Sequence, residues 1–234
     1  MNSRKQLLLW CACLACLTLG SCVENLSEVN FATESSNPDS RSYVDLGLSV
    51  KWANCNIGAN YPWEYGGYYC WGETYVKESY YINDYRWYYE TEYDSYTERD
   101  YEYSNLGSSI SGYYNYDAAY YQWGYEWRMP TLEEIYELMN NCTWRWTYVR
   151  GEGGYMVTGP SGNSIFLPAA GDASGEDYEE QGSAGYYWCG ALAPEEGDYD
   201  GHDAYLVGFS YSEGASLYYG DRSYGFSVRP VYRY

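Results

Sequence analysis

The chain is poor in positive charge. Only 13 of its 234 residues are Lys or Arg, against 33 Asp and Glu, for a formal net charge of −20. Nucleic acid is excluded as a partner on this ground, because affinity for it rests on neutralising phosphates with Lys and Arg. Anionic lipid surfaces should repel the chain too. Histidine is almost absent. A Ser-His-Asp triad would have to use His202, the only one, and its glycine-rich, acidic loop offers no nucleophile elbow. Beyond the first 22 residues no CxxC or paired-His spacing exists to make a zinc site. The apolar run Leu7 to Leu19 is 13 residues long, too short for a span that needs ~20. No internal repeat is visible.

What the first residues do contain is a targeting pattern. Arg4 and Lys5 precede the apolar run, which ends in "LGSC", Leu19 to Cys22. That ending resembles the bacterial lipobox, in which the cysteine is lipidated and becomes the mature N-terminus. The alternative is an ordinary secretory signal cut nearby, with Cys22 incidental. Several acyl chains, at ~0.8 kcal/mol per buried CH₂, give stable anchoring where a single chain does not. From Cys22 onward the chain keeps all 33 acids and 11 of the bases, a formal −22. The expected organisation is a signal over 1–21, a polar, serine-rich tether over 22–42 and one domain over 43–234.

Tyrosine is the abundant residue. There are 35, and 20 of them fall between Tyr61 and Tyr125. Disordered chains are poor in aromatics, so this one folds. Four cysteines lie beyond the signal and Cys22: Cys55, Cys70, Cys142 and Cys189. An exported chain meets an oxidising compartment, which favours disulfides. Four cysteines allow three connectivities, and the sequence alone does not choose among them.

Local patterns predict an α+β fold with two helices and many short antiparallel strands between large loops. The stronger helix is "TLEEIYELMNNC", where Thr131 and Glu134 form a capping box after Pro130. Leu132, Ile135, Leu138 and Met139 follow at helical spacing. A shorter helix is predicted over Tyr116–Trp123. Thr74 to Tyr116 has neither period and reads as a long, partly ordered loop excursion. "TWRWTYV" alternates, with Trp144 and Trp146 on one face. "GYMVTG", "NSIFLPAAG", "GYYWC", "AYLVGFS" and "FSVRPVY" follow as strands. Trp52, Trp71, Trp127, Trp144, Trp146 and Trp188 lie in these ordered stretches and are expected to pack.

"DLGLSVKWANCNIGA", "EYGGYYCWGET", "DAAYYQWGYEWRMPT", "GPSGNSIFLPAAG" and "GFSVRPV", in that order, resemble the Fibrobacter succinogenes major paralogous domain family over about residues 43 to 232. The resemblance implies an exported, often lipidated protein with a C-type-lectin-like fold: paired N- and C-terminal strands, two helices and a loop-rich ligand face. Relatives tend to carry Ala at Cys70 and Ser at Cys189. Both positions depart together, as partners would, which implies the pairing Cys70–Cys189 and with it Cys55–Cys142. The calcium-dependent sugar motifs of C-type lectins, E-P-N or Q-P-D with W-N-D, are absent. "DYDGHD", Asp198 to Asp203, suggests a calcium loop only loosely: an EF-hand needs a carboxylate where Phe209 stands. No metal or cofactor is therefore expected.

Cys189 to Tyr224 contains no Lys, Gln, Met, Trp, Asn, Thr or Ile. This resembles the variable region of lectin-like proteins diversified by retroelements, although Glu195, Glu196 and Glu213 do not fit adenine-directed mutation. Tyrosine gives rigid, amphipathic contact area at low entropic cost, with Ser and Gly supplying adaptable hydrogen bonds. The expected function is non-catalytic binding of a protein or glycan ligand by a lipid-anchored outer-membrane surface protein. The alternatives are a structural or adhesive envelope component and, third, an enzyme of unknown type. The expected ligand residues are Tyr199, Tyr205, Tyr211, Tyr218, Tyr219, Asp221 and Tyr224. Alternation predicts that one of the adjacent Tyr218 and Tyr219 packs and the other is exposed.

Overall fold

Small antiparallel sheets dominate the chain, joined by two helices, so the broad α+β expectation holds. The computed structural model describes residues 41–91, 100–194 and 201–233. Strands β1 (Tyr43–Val44), β2 (Lys51–Ala53), β3 (Tyr88–Thr91), β4 (Asp100–Tyr103) and β5 (Trp127–Arg128) occupy the first half with helix α1 (Ala118–Trp123). Helix α2 (Leu132–Asn141) follows. Then come β6 (Thr143–Val149), β7 (Glu152–Thr158), β8 (Ser164–Pro168), β9 (Asp172–Ser174) and β10 (Asp177–Glu179). Strands β11 (Ala184–Leu192), β12 (Asp203–Ser210), β13 (Gly214–Asp221) and β14 (Val231–Tyr232) complete the order. Sheets run β1-β2-β14-β5, β6-β7-β8 and β11-β12-β13, with the pairs β3-β4 and β9-β10. The last strand pairs with the second and fifth rather than the first: Val231 of β14 lies opposite Trp52 of β2 and Arg128 of β5.

Both helices are set by their N-caps. In α2 the Thr131 hydroxyl accepts from the Glu134 amide and the Glu134 carboxylate accepts from the Thr131 amide, the predicted capping box. Its Ile135 and Leu138 are buried against β11. Helix α1 begins two residues later than predicted because Asp117 is its N-cap. That buried carboxylate accepts from the amides of Ala119, Tyr120, Gly112 and Met129. It therefore ties the helix start to β5 as well as capping it.

The sheet β11-β12-β13 divides the core. Tyr187, Cys189, Val207 and Phe209 point to one cluster with Trp52, Leu138 and Leu167. Trp188, Ala204 and Leu206 point to another with Trp71, Ile110 and Phe226. Strands covered on both sides lose polar alternation, which is why "GYYWCGAL" and "AYLVGF" read as nearly unbroken apolar runs. Trp71 donates to Cys189 O (2.9 Å) and Trp188 to Tyr69 O (2.7 Å), so the indoles are satisfied as well as buried.

Two expectations need correction. The "GFSVRPV" segment is not one strand. Gly225, Phe226 and Ser227 each make an isolated bridge, to Ala173, Tyr69 and Tyr187, and Val228 O and Pro230 O accept from Ile57 N and Ala53 N. Its partner changes almost residue by residue, and Pro230 has no N–H, so no ladder forms before Val231. The anchor is Arg229, 2% exposed, which donates to Asn56 Oδ1 (2.8 Å), Phe166 O (2.8 Å), Ala53 O (3.1 Å) and Asn54 O (3.1 Å).

The four cysteines are free thiols, against the expected Cys55–Cys142 and Cys70–Cys189 bridges. Cys70 and Cys189 are buried in different hydrophobic clusters. Cys70 donates to Ser223 O and Cys189 to Pro130 O. Cys55 donates to Ala59 O, within its own turn, while Cys142 packs at the end of α2. Burial raises all four thiol pKa values, Cys142 to about 11 and Cys189 to about 12.

The Thr74–Tyr116 stretch is ordered in part, as expected. It holds a 3-10 turn at Ile82–Asp84 and the β3-β4 hairpin. Tyr80, Tyr85 and Tyr103 are buried there with Tyr68 and Cys70 in a third cluster. Inward tyrosines, rather than aliphatic residues, supply its core, which hid the pattern from a hydrophobic count.

Candidate ligand-binding face

Tyrosines divide into an inward and an outward set. Inward ones find hydrogen-bond partners for their hydroxyls: Tyr80 donates to Tyr68 O (2.9 Å), Tyr187 to Pro168 O (2.7 Å) and Tyr103 to both Asp221 oxygens (2.9 and 2.8 Å). Burying a phenol without such a partner would be costly. Burial, with the nearby Asp221 charge second, drives the Tyr103 hydroxyl pKa strongly up. These residues are structure.

Arg222 is what holds the tyrosine-rich excursions in place. It is 1% exposed. Its Nε donates to Tyr85 Oη (3.0 Å), its Nη1 to Gly201 O (2.8 Å), and both terminal nitrogens to Ser104 O (3.1 Å each). The guanidinium also lies over the rings of Trp71, Tyr85 and Tyr103, at 4.9 to 5.6 Å from their centroids. One planar fork thus ties β4 to the start of β12 and to the turn after β13.

Outward tyrosines occur along much of the chain, and three of them, Tyr211, Tyr218 and Tyr219, lie on the β12-β13 hairpin. Tyr211, in its turn, is 74% exposed and meets Trp146 edge-on at 5.8 Å. Tyr148, 69% exposed, also meets Trp146 edge-on, at 6.4 Å. Trp144, Trp146 and Tyr148 share one face of β6. The two tryptophans are half-buried against the core, and Tyr148 carries the aromatic row past its edge. The alternation in "TWRWTYV" places Tyr148 on the same face as Trp144 and Trp146, so its sequence signal lies in β6 rather than in the segment before "GFSVRPV".

Tyr218 and Tyr219, 39% and 48% exposed, overturn the expectation that one packs while the other does not. Their side chains do point to opposite faces, opposite Leu206 and Tyr205. However, β13 is the last strand of its sheet, so cover runs out on both sides. Tyr218 lies across Gly208, where a Cβ would sit 2.7 Å from its ring, beside Tyr186. Glycine at 208 is what lets that ring lie flat on the sheet.

The other expected residues separate. Tyr205 is half-buried against the first cluster and Tyr224 against the second, 6.1 Å from Phe226. Asp221 is engaged internally, accepting from Tyr103 and from the Ser223 amide and hydroxyl. It faces Asp203 across the strands, and Asp203, raised by burial first and by Asp221 second, reaches a pKa of about 6. Tyr199 and Cys22 lie outside the described residues.

No family model, curated protein or solved structure matches this chain.

A second aromatic group lies apart from the expected site. Tyr75, Tyr114 and Tyr121 form a chain of ring contacts at 4.8 and 5.0 Å, beside a cleft of about 240 Å³ lined by Glu73, Lys77, Asp84 and Arg86. Those charges are committed inside the protein: Lys77 pairs with Glu73 (3.0 Å) and donates to Asp84 O, and Arg86 N donates to Glu73. Among the described residues no three His, Cys, Asp or Glu side chains are placed to hold a metal ion. His202, the sole histidine, stacks on Tyr103 at 4.4 Å.

Proposed function

We propose that this chain is a non-catalytic ligand-binding protein, anchored to the outer membrane through lipid on Cys22 and displaying a C-type-lectin-like domain at the cell surface. The observation that carries the reading is the exposure of Tyr211, Tyr218 and Tyr219 on the β12-β13 hairpin, whose supporting strands β11 and β12 are buried, with Tyr148 and Tyr211 meeting at Trp146. Exposed rings on a rigid support lose little entropy on binding. A protein or a glycan is the ligand class, since both present apolar faces and hydrogen-bonding edges to tyrosine.

A glycan and protein array probed with the full chain tests this. The expected result is a hit whose signal falls when Tyr211, Tyr218 and Tyr219 are changed to Ala. An array without hits, together with concentration-dependent self-assembly, favours the structural or adhesive role instead.

A further inference from the structure

Each long sheet here has its edges managed, with one exception. Unpaired strand edges invite pairing with another chain, and proteins blunt them with cover, charge, proline or bulges. The outer edge of β11 is covered: Ser109, Gly171 and Ser227 bridge to it, and Leu192 N and Gly190 N donate to Ser108 O and Pro130 O. Strand β8 ends on Pro168, and β6 carries the exposed cation Arg145. Over residues 214–220, strand β13 has no covering segment, charge, proline or bulge among the described residues. Its sequence "GASLYYGD" contains no Lys, Arg or Pro, and its pairing with β12 runs without a register shift from Asp203–Asp221 to Ser210–Gly214. Among the described residues no backbone group pairs with the outer side of residues 214–220.

The chain that carries this edge is acidic, with a formal net charge of −20. From Gly151 to the end, the chain has 13 Asp and Glu but only Arg222, Arg229 and Arg233 as cations. Arg222 and Arg229 are buried and bonded to carbonyls. Glu213 stands exposed in the turn at one end of β13, and Asp221 closes the other. Tyr218 and Tyr219 flank the edge on the two faces of the sheet, where an incoming strand would lay its side chains. Aromatic faces attract Lys and Arg, and a surface field of one sign steers the opposite charge to it.

We infer that the outer edge of β13 takes up an extended, Lys- or Arg-bearing segment of a partner protein as an added antiparallel or parallel strand. This rests on the reading of the tyrosine face as a binding surface and names its partner class. Eight residues of strand, about 27 Å at ~3.4 Å per residue, offer outward N–H and C=O groups at every second residue. Those groups supply affinity independent of sequence, while charge and the two tyrosines select basic side chains. A second copy of this chain is the weaker occupant, because pairing β13 with itself brings two net charges of −20 together.

The test uses the full chain and a fluorescein-labelled octapeptide of alternating lysine and valine. Saturable anisotropy is expected, weakened at least tenfold when every second peptide nitrogen is methylated, since methylation removes the N–H and leaves charge intact. The Tyr218→Lys/Tyr219→Lys variant should also lose at least tenfold. Amide exchange within residues 214–220 should slow at least tenfold on adding the peptide. Equal binding of the methylated peptide, no binding, or no protection at 214–220 overturns the inference. Protection there with dimer formation and no peptide gives the edge to a second copy and also overturns it. If the peptide fails but the array finds a ligand lost on Tyr211→Ala, ligand binding stands and strand addition falls.

Discussion

Replacing Arg222 by Met is the most informative single change to the scaffold. The side chain keeps similar length and stays apolar where it crosses Trp71, but it loses every donor. Ser104 O and Gly201 O then have no guanidinium, and Tyr85 Oη loses its incoming bond. A buried acceptor left without a partner costs about 1–3 kcal/mol, so two carbonyls give about 2–6. Loss of the cation over three rings adds up to about 2 kcal/mol. Relief of the charge's own desolvation and the burial of Met offset part of this. The expected net loss is about 3 kcal/mol, read as a lower urea midpoint at unchanged slope. Amide exchange should accelerate first near Ser104 and Gly201, the two backbone points that Arg222 joins. Arg222→Lys should recover little, because an ammonium cannot span both carbonyls as a planar fork does. A loss below about 1 kcal/mol, or no local change near residues 104 and 201, would refute the account of Arg222 as the tie between the excursions.

Removing the Asp117 cap by Asp117→Ala should cost about 3 kcal/mol in urea unfolding, more than an ordinary cap, because the Gly112 and Met129 amides lose their acceptor along with those of α1. Stability should fall as pH rises from about 4 to about 7. Burial first, then Glu179 and Glu180, raise Asp172 to a pKa of about 7, and Asp203 reaches about 6. Their folded-state values lie above the unfolded ones, so the folded state holds the extra protons at low pH and loses that advantage as each group ionises. Asp172→Asn should flatten this slope and raise stability at pH 8 by about 1 kcal/mol after allowance for solvent screening; an unchanged slope would contradict the assignment. Cys70 and Cys189 should resist iodoacetamide in the folded chain and react on unfolding, whereas recovery of a Cys70–Cys189 peptide under non-reducing conditions would contradict the free-thiol state.

Much of the fold is legible in local sequence. Thr131 and Glu134 announce α2, and the alternation of Trp144 and Trp146 announces β6. What escaped notice depends on partners far along the chain. Asp117 looks like any polar residue before a helix until Met129 comes back to it. The strand character of "GFSVRPV" dissolves because its neighbours are five separate segments. The site was legible in part. Tyr211 is outward, but parity alone cannot show that β13 is an edge, so Tyr218 and Tyr219 are both exposed where alternation predicts one. Asp221 reads as a surface acid and turns out to be the acceptor for Tyr103. Composition also mixes two kinds of tyrosine: Tyr80, Tyr85 and Tyr103 build a core, while Tyr148 and Tyr211 look outward, and only packing separates them.

Alanine substitution of the outward tyrosines, with affinity and thermal stability read on the same samples, tests the binding face most directly. For Tyr211→Ala, Tyr218→Ala and Tyr219→Ala the account predicts that at least one weakens the array-identified ligand by more than ~1–2 kcal/mol, while melting temperatures shift little. Tyr85→Ala should do the reverse, losing ~3 kcal/mol of stability as buried aromatics do. Uniform losses of stability across all four, with ligand affinity tracking the folded fraction, would contradict the claim that the outward tyrosines form a binding surface.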